Sequence, residues 1–150
     1  MKKLLPLFLL LMGCTAQTQQ DAMHTMDNHD AVMRLHAGGN KTISAHDFTV
    51  NFEHSEIKAG EPATLVFTVM RDTKPAPLIE HHGAPMHVII VSKDLSEFYH
   101  AHPKETAPST LMATQTFEKP GDYRIWIDFI TVQGNHIIDF DVNVENGNNE

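Results

Sequence analysis

At 150 residues the chain is long enough for one domain with a buried core plus extensions, and its formal charge of −8 marks a surface that repels nucleic acid and attracts cations. This acidic balance argues against nucleic-acid binding. The single cysteine, Cys14, excludes a disulfide framework and any blue-copper or dithiol centre, so a metal site here has to draw on histidine, methionine and carboxylates.

Residues 1–13 read as a bacterial export signal. Lys2 and Lys3 form its positive start, residues 4–11 its apolar stretch, and Leu11-Met12-Gly13-Cys14 closes it. The apolar run is too short to stay in a bilayer as a spanning helix. A small residue before the cysteine resembles the lipobox of bacterial lipoproteins, whose cysteine is acylated on sulfur and then heads the mature chain. The alternative is an ordinary signal with an incidental cysteine. Two acyl chains on Cys14, with a third such as palmitate on the new N-terminus, exceed what stable anchoring needs. The expected location is the cell envelope, lipid-anchored and facing the periplasm or exterior. Thr15 stands where some inner-membrane lipoproteins carry a retention aspartate, which leaves the outer membrane open. Losing Lys2 and Lys3 with the signal takes the formal charge from −8 to −10.

Residues 14–40 are polar, poor in large aliphatics and end at Gly38-Gly39, the composition of a tether. Met23, Met26, His29, Met33 and His36 recur at helical spacing, with His24 beside them. A disordered segment is the preferred reading of its conformation. Even without structure, thioethers and imidazoles bind Cu(I), and neutral imidazole also suits Cu(II) and Zn, so these six residues are candidates for metal collection.

From residue 41 the pattern changes to short strands. Phe48, Val50 and Phe52 alternate with polar residues, as do Leu65, Phe67 and Val69 after the Gly60-Glu61-Pro62 break. Residues 74–85 hold Pro75, Pro77, Gly83 and Pro85 and read as a loop. An apolar strand follows from Met86, turns near Ser92-Lys93-Asp94 and returns through Phe98 to His102. Residues 104–110 read as a polar loop and residues 111–117 as another strand. Tyr123, Ile125, Ile127 and Phe129 alternate after the Pro120-Gly121-Asp122 turn, and Ile138, Phe140, Val142 and Val144 after Gln133-Gly134-Asn135. The pattern predicts an all-β domain over residues 41–145, an antiparallel immunoglobulin-like (cupredoxin-like) sandwich of about seven strands. Residues 146–150 read as a frayed tail.

Eleven histidines all lie downstream of Cys14. His46 and His54 flank a strand and read as surface residues. A hairpin centred between Asp94 and Leu95 would set Ile89 opposite His100 and His87 opposite His102. Side chains alternate faces along a strand, so His87, His100 and His102 would share one face, a metal-ligand arrangement. The alternative is a set of edge-strand histidines without a ligand. His82, or its neighbour His81, lies in a loop that can swing an imidazole over the same site. Met86 belongs to the core in regular strand geometry, and becomes a soft ligand only if Pro85 distorts the strand start. His136, beside the last turn, is a weaker candidate. Copper is the preferred metal, because the Met-rich tether adds thioethers that do little for zinc; zinc is the alternative. No Ser-His-Asp order, paired carboxylates or His-Glu-x-x-His stands out, so the chain reads as a binding protein rather than an enzyme.

The pattern Met86-His87-x-x-x-Val91-Ser92-x-Asp94-Leu95-x-x-Phe98-x-His100-x-His102-Pro103 resembles that of small exported bacterial proteins of the YtkA-like or FixH-like type. The segment from Pro120 to Phe129 is similar to theirs as well, and the resemblance spans about residues 42–145. It implies an immunoglobulin-like fold, export and an association with copper handling or cytochrome oxidase biogenesis. The expectation is thus a membrane-anchored copper buffer, resistance factor or chaperone that exchanges metal with a donor or acceptor protein. The reading from a different class is a structural or protein-docking lipoprotein whose histidines hold no metal tightly.

Overall fold

The computed structural model describes residues 38–147, residue 46 excepted. The expected signal, Cys14, the Met/His-rich segment (Met23, His24, Met26, His29, Met33, His36) and His46 lie outside the described residues. So do the last three residues of the expected tail.

Ten strands and no helix make up the described residues: β1 (Gly39–Ala45), β2 (Phe48–His54), β3 (Pro62–Arg71), β4 (Lys74–Pro75), β5 (Met86–Ser92), β6 (Phe98–Ala101), β7 (Lys104–Ala107), β8 (Thr110–Thr116), β9 (Gly121–Thr131) and β10 (Gly134–Val144). They form two antiparallel sheets. One runs β1-β2-β3-β8-β7, with β4 added beside β3; the other runs β10-β9-β5-β6. The all-β antiparallel sandwich expected from the alternation is what the chain builds. The strand number exceeds the seven expected, because β1, β4 and β7 are short or largely polar and carry little alternation.

Period-two alternation determines which side chains face inward. In β3, Ala63, Leu65, Phe67 and Val69 are buried while the residues between them reach the outside. In β9 the same holds for Tyr123, Ile125, Ile127 and Phe129, and in β10 for Ile138, Phe140, Val142 and Val144. These inner faces close a single core. Phe52 stacks on Phe67 with ring centroids 4.8 Å apart, and meets Phe140 of the other sheet at 5.0 Å. Each such side chain, fully buried, contributes about 1.5–3 kcal/mol. At the start of β9 the Tyr123 hydroxyl donates to the Lys119 carbonyl at 2.9 Å, four residues upstream, which ties the Pro120-Gly121 turn to the strand it begins.

Two segments expected as loops carry structure. Residues 104–107 pair with β8 as an edge strand, exposed on both faces and hence without a hydrophobic signature. Between β4 and β5, Ile79 bridges Ile130, and His81 and Ala84 close a turn whose central residues have φ of 50° (His82) and 82° (Gly83). Both central residues are left-handed, the geometry of a type I′ turn, in which Gly83 takes the position that a side chain would strain.

Candidate metal centre

The site begins with the turn between β5 and β6. Asp94 gathers three donors: the Ser92 hydroxyl at 2.6 Å, the Ser96 amide at 3.0 Å and the Ser96 hydroxyl at 3.1 Å. These bonds, the Ser92 hydroxyl first, hold its carboxyl down at about 2 from an ordinary 3.8. The Glu97 amide donates to Ser92 Oγ at 2.9 Å, so the turn is closed from both sides. The resulting register pairs Ile89 with His100 and Val88 with Ala101, as the hairpin expected from the sequence requires.

On β5, Met86, Val88 and Ile90 face the core, which leaves His87, Ile89 and Val91 on the outer face of the four-stranded sheet. His100 stands on that face from β6, and His102 follows just past the strand end. One nitrogen from each of His87, His100 and His102 lies within 4.8 Å of the others. The ring centroids are 5.4 Å apart for His87–His100, 4.6 Å for His87–His102 and 4.7 Å for His100–His102. Small side-chain rotations would bring all three to the 2.0–2.1 Å or so at which imidazole binds a metal ion.

His87 is 9% exposed and its ring is pinned on both sides. Nε2 lies 3.0 Å from the His81 carbonyl oxygen, and Nδ1 lies 3.2 Å from His100 Nε2. A carbonyl only accepts, so Nε2 carries the proton and Nδ1 presents its lone pair toward His100. Without metal, His100 Nε2–H fills that lone pair; an ion at the same point displaces a proton. His102 titrates below the ordinary histidine range, chiefly through desolvation and then through the neighbouring His87 and His100. It is therefore neutral at neutral pH, the form that ligates. A cleft of about 550 Å³ opens beside it, bordered by Glu80, Pro85, Lys104 and Glu105.

The other candidates are distributed unevenly. His82 is exposed at the apex of the type I′ turn, with its ring 6.3 Å from that of His87; His81 is closer, at 4.8 Å. Met86 is fully buried in the core on the face opposite His87, so the structure does not bring its sulfur to the three rings. The strand is regular from its first residue, and Pro85 does not distort it. His136 also faces inward, stacked on Phe129 at 5.1 Å and bonded to Thr131 Oγ1 at 2.8 Å, away from the triad's face. His54, expected at the surface, is half-buried: Nδ1 donates to the Ser55 carbonyl at 2.7 Å, and desolvation lowers its pKa. One residue escaped the sequence reading. Asp128 of β9 lies directly across from His87, on the same outer face. Its position depends on the β5–β9 pairing, which joins strands far apart in the chain.

Solved structures share the fold. A DUF4426 family protein from Pseudomonas aeruginosa PAO1 superposes with a TM-score of 0.53 at 8% identity, covering 71% of this chain and 95% of that one. FetP from uropathogenic Escherichia coli strain F11, as isolated, gives 0.51 at 8% identity over 72% and 95%. A copper-bound variant of the same FetP gives 0.51 at 6% identity over 71% and 95%. At such identities the likeness is one of fold. Among curated proteins, none matches the chain in sequence. The finer YtkA-like or FixH-like label is not carried by these matches. What matches in sequence is the domain of unknown function DUF8832, over residues 41–146, and with that share of its length aligned the chain belongs to the DUF8832 family.

Proposed function

We propose that this chain is an extracytoplasmic copper-binding protein, anchored through Cys14, that buffers or carries the metal on His87, His100 and His102. The observation that carries this reading is the convergence of three imidazole nitrogens within 4.8 Å on one hairpin, with the inner ligand already held in the ligating tautomer. Copper is favoured over zinc by the Met and His residues of the N-terminal segment and by an all-imidazole donor set, for which copper leads the divalent series. The copper-bound FetP variant, which shares the fold, supports the same choice. His100 and His102 are exposed and so can exchange their ion with a donor or acceptor protein, which is the behaviour of a carrier rather than of an enzyme.

The test is a titration of the domain beginning at Gly39 with Cu(I), Cu(II) and Zn(II), each in competition with a chelator, beside a His100→Ala/His102→Ala variant. One tight copper equivalent is expected, lost in the variant. Weak binding that the double substitution leaves unchanged would sink the metal site. Tighter binding of zinc than of copper would keep the site and overturn its metal.

A further inference from the structure

The loop between β4 and β5 is folded onto the triad rather than merely near it. Its Ile79 amide donates to the Ile130 carbonyl at 2.8 Å, and His81 and Ala84 exchange backbone bonds of 2.9 and 3.2 Å across the type I′ turn. The His81 carbonyl also accepts the Nε2 proton of His87, so the backbone at His81 is fixed to a ligand. The His81 ring packs edge-on against His87 at 4.8 Å. Two buried polar atoms next to His87 have no hydrogen-bond partner: His81 Nδ1 and Asp128 Oδ1. Asp128 is the β9 neighbour of His87 on the same face. Continuing the Ile79–Ile130 register by two residues carries His81 to the level of Asp128. Leaving both atoms unsatisfied is costly, and a bond from His81 Nδ1–H to Asp128 Oδ1 would satisfy the pair at once.

We propose, resting on the copper reading above, that His81 is the fourth imidazole of the site and Asp128 its positioning residue, and that the site takes a divalent ion. With its proton held on Nδ1 by the carboxylate, His81 turns the Nε2 lone pair toward the metal, the same arrangement that its own carbonyl imposes on His87. His82 does not share this role: it is exposed and lies farther from His87. Met86 points into the core, so the set is nitrogen-only with a carboxylate in support. Such a set suits cupric copper, whereas cuprous copper favours thioether and thiolate.

The experiment measures Cu(II) and Cu(I) affinity of the full chain by chelator competition, with the Cu(II) electron paramagnetic resonance spectrum as a count of bound nitrogens. His81→Ala, and His81→Gln, which refills the space without an imidazole, should each weaken Cu(II) binding roughly 10–100-fold and remove one nitrogen from the spectrum. His82→Ala should leave affinity and spectrum as they are, and Cu(I) affinity should change little in any of these variants. Asp128→Asn should weaken Cu(II) binding without lowering the melting temperature of the metal-free protein, since Oδ1 has no bond there to lose. Wild-type affinity and spectrum in both His81 variants would overturn the proposal, as would an equal loss in His82→Ala. A metal-free Asp128→Asn protein that melts lower would make Asp128 a structural residue and overturn its positioning role. If His100→Ala/His102→Ala abolishes binding while the His81 variants do not, this inference falls and the triad stands. If the wild type binds no copper, both fall.

Discussion

Asp94 bonds only Ser92 and Ser96 and not the three histidines, yet it governs where two of them sit. By collecting Ser92 Oγ, Ser96 N and Ser96 Oγ, it fixes the turn that sets Ile89 against His100, and so sets His87 beside His100. Its folded-state pKa, about 2, lies below the ordinary 3.8 because all three bonds favour the carboxylate. Such a group stabilises the fold fully above its unfolded pKa, and the contribution is lost as pH falls through the folded value. Asp94→Asn should therefore melt below the wild type near neutral pH, and the gap should close as the pH is taken down toward 2. Melting curves followed by circular dichroism at a series of pH values check this, and a gap independent of pH would assign the loss to shape rather than charge. At this scale the triad was legible in the sequence, because a His-x-His pair and a hairpin turn place ligands by local geometry alone. The core position of Met86 was legible for the same reason. The closer approach of the His81 ring to His87 than of the His82 ring was not, since it depends on a turn with two left-handed residues that folds a loop back over β5. Asp128 was not legible either, because nothing local in β9 says which strand lies beside it.

Elements show the same division between local and long-range information. Strands β2, β3, β9 and β10 follow from alternation, since each buries one face against the opposite sheet, and β5 follows from its apolar run. Strand β7 does not, because it is exposed on both faces and exists only through its bonds to β8. In β1, a single aliphatic among polar residues gives no period to read. Turn chemistry carried further than expected: the Pro120-Gly121-Asp122 break does more than end a strand. The Tyr123 hydroxyl bonds the Lys119 carbonyl across it, while Tyr99 Oη donates to Glu97 and accepts the Glu118 amide. Burial pushes the Tyr99 hydroxyl up to about 12, so this clasp keeps its proton through the physiological range. Tyr123→Phe keeps the ring in the core and deletes one hydrogen bond. It should lower unfolding stability by about 1 kcal/mol, read as a shift in the urea midpoint at constant slope. A change in slope, or no change in midpoint, would mean that the corner is not what joins the turn to β9.

In the whole molecule the core and the three histidines lie on opposite faces of one sheet. The core lies between the two sheets and includes Met86, Val88 and Ile90, whereas His87, His100 and His102 stand on the outer face of the same hairpin. An ion there adds bonds to the folded state that the unfolded chain cannot assemble, and it does so without touching the aromatic cluster of Phe52, Phe67 and Phe140. Binding at about 100 times the dissociation constant stabilises the folded state by about 2.7 kcal/mol, which for a domain of this size raises the melting temperature by several degrees. Copper should therefore raise the melting temperature of the wild type and leave that of His100→Ala/His102→Ala where it is. The metal-free proteins should differ only by the lost bond from His100 to His87, about 1 kcal/mol, because both substituted rings are otherwise exposed. A differential scan of the four samples decides the matter. If the metal-free variant melts well below the wild type, the histidines serve the fold, and the separation between core and site is lost. If the two metal-free proteins agree to within that one bond and only the wild type responds to copper, the outer face of β5 and β6 is a binding surface carried by a scaffold that does not depend on it.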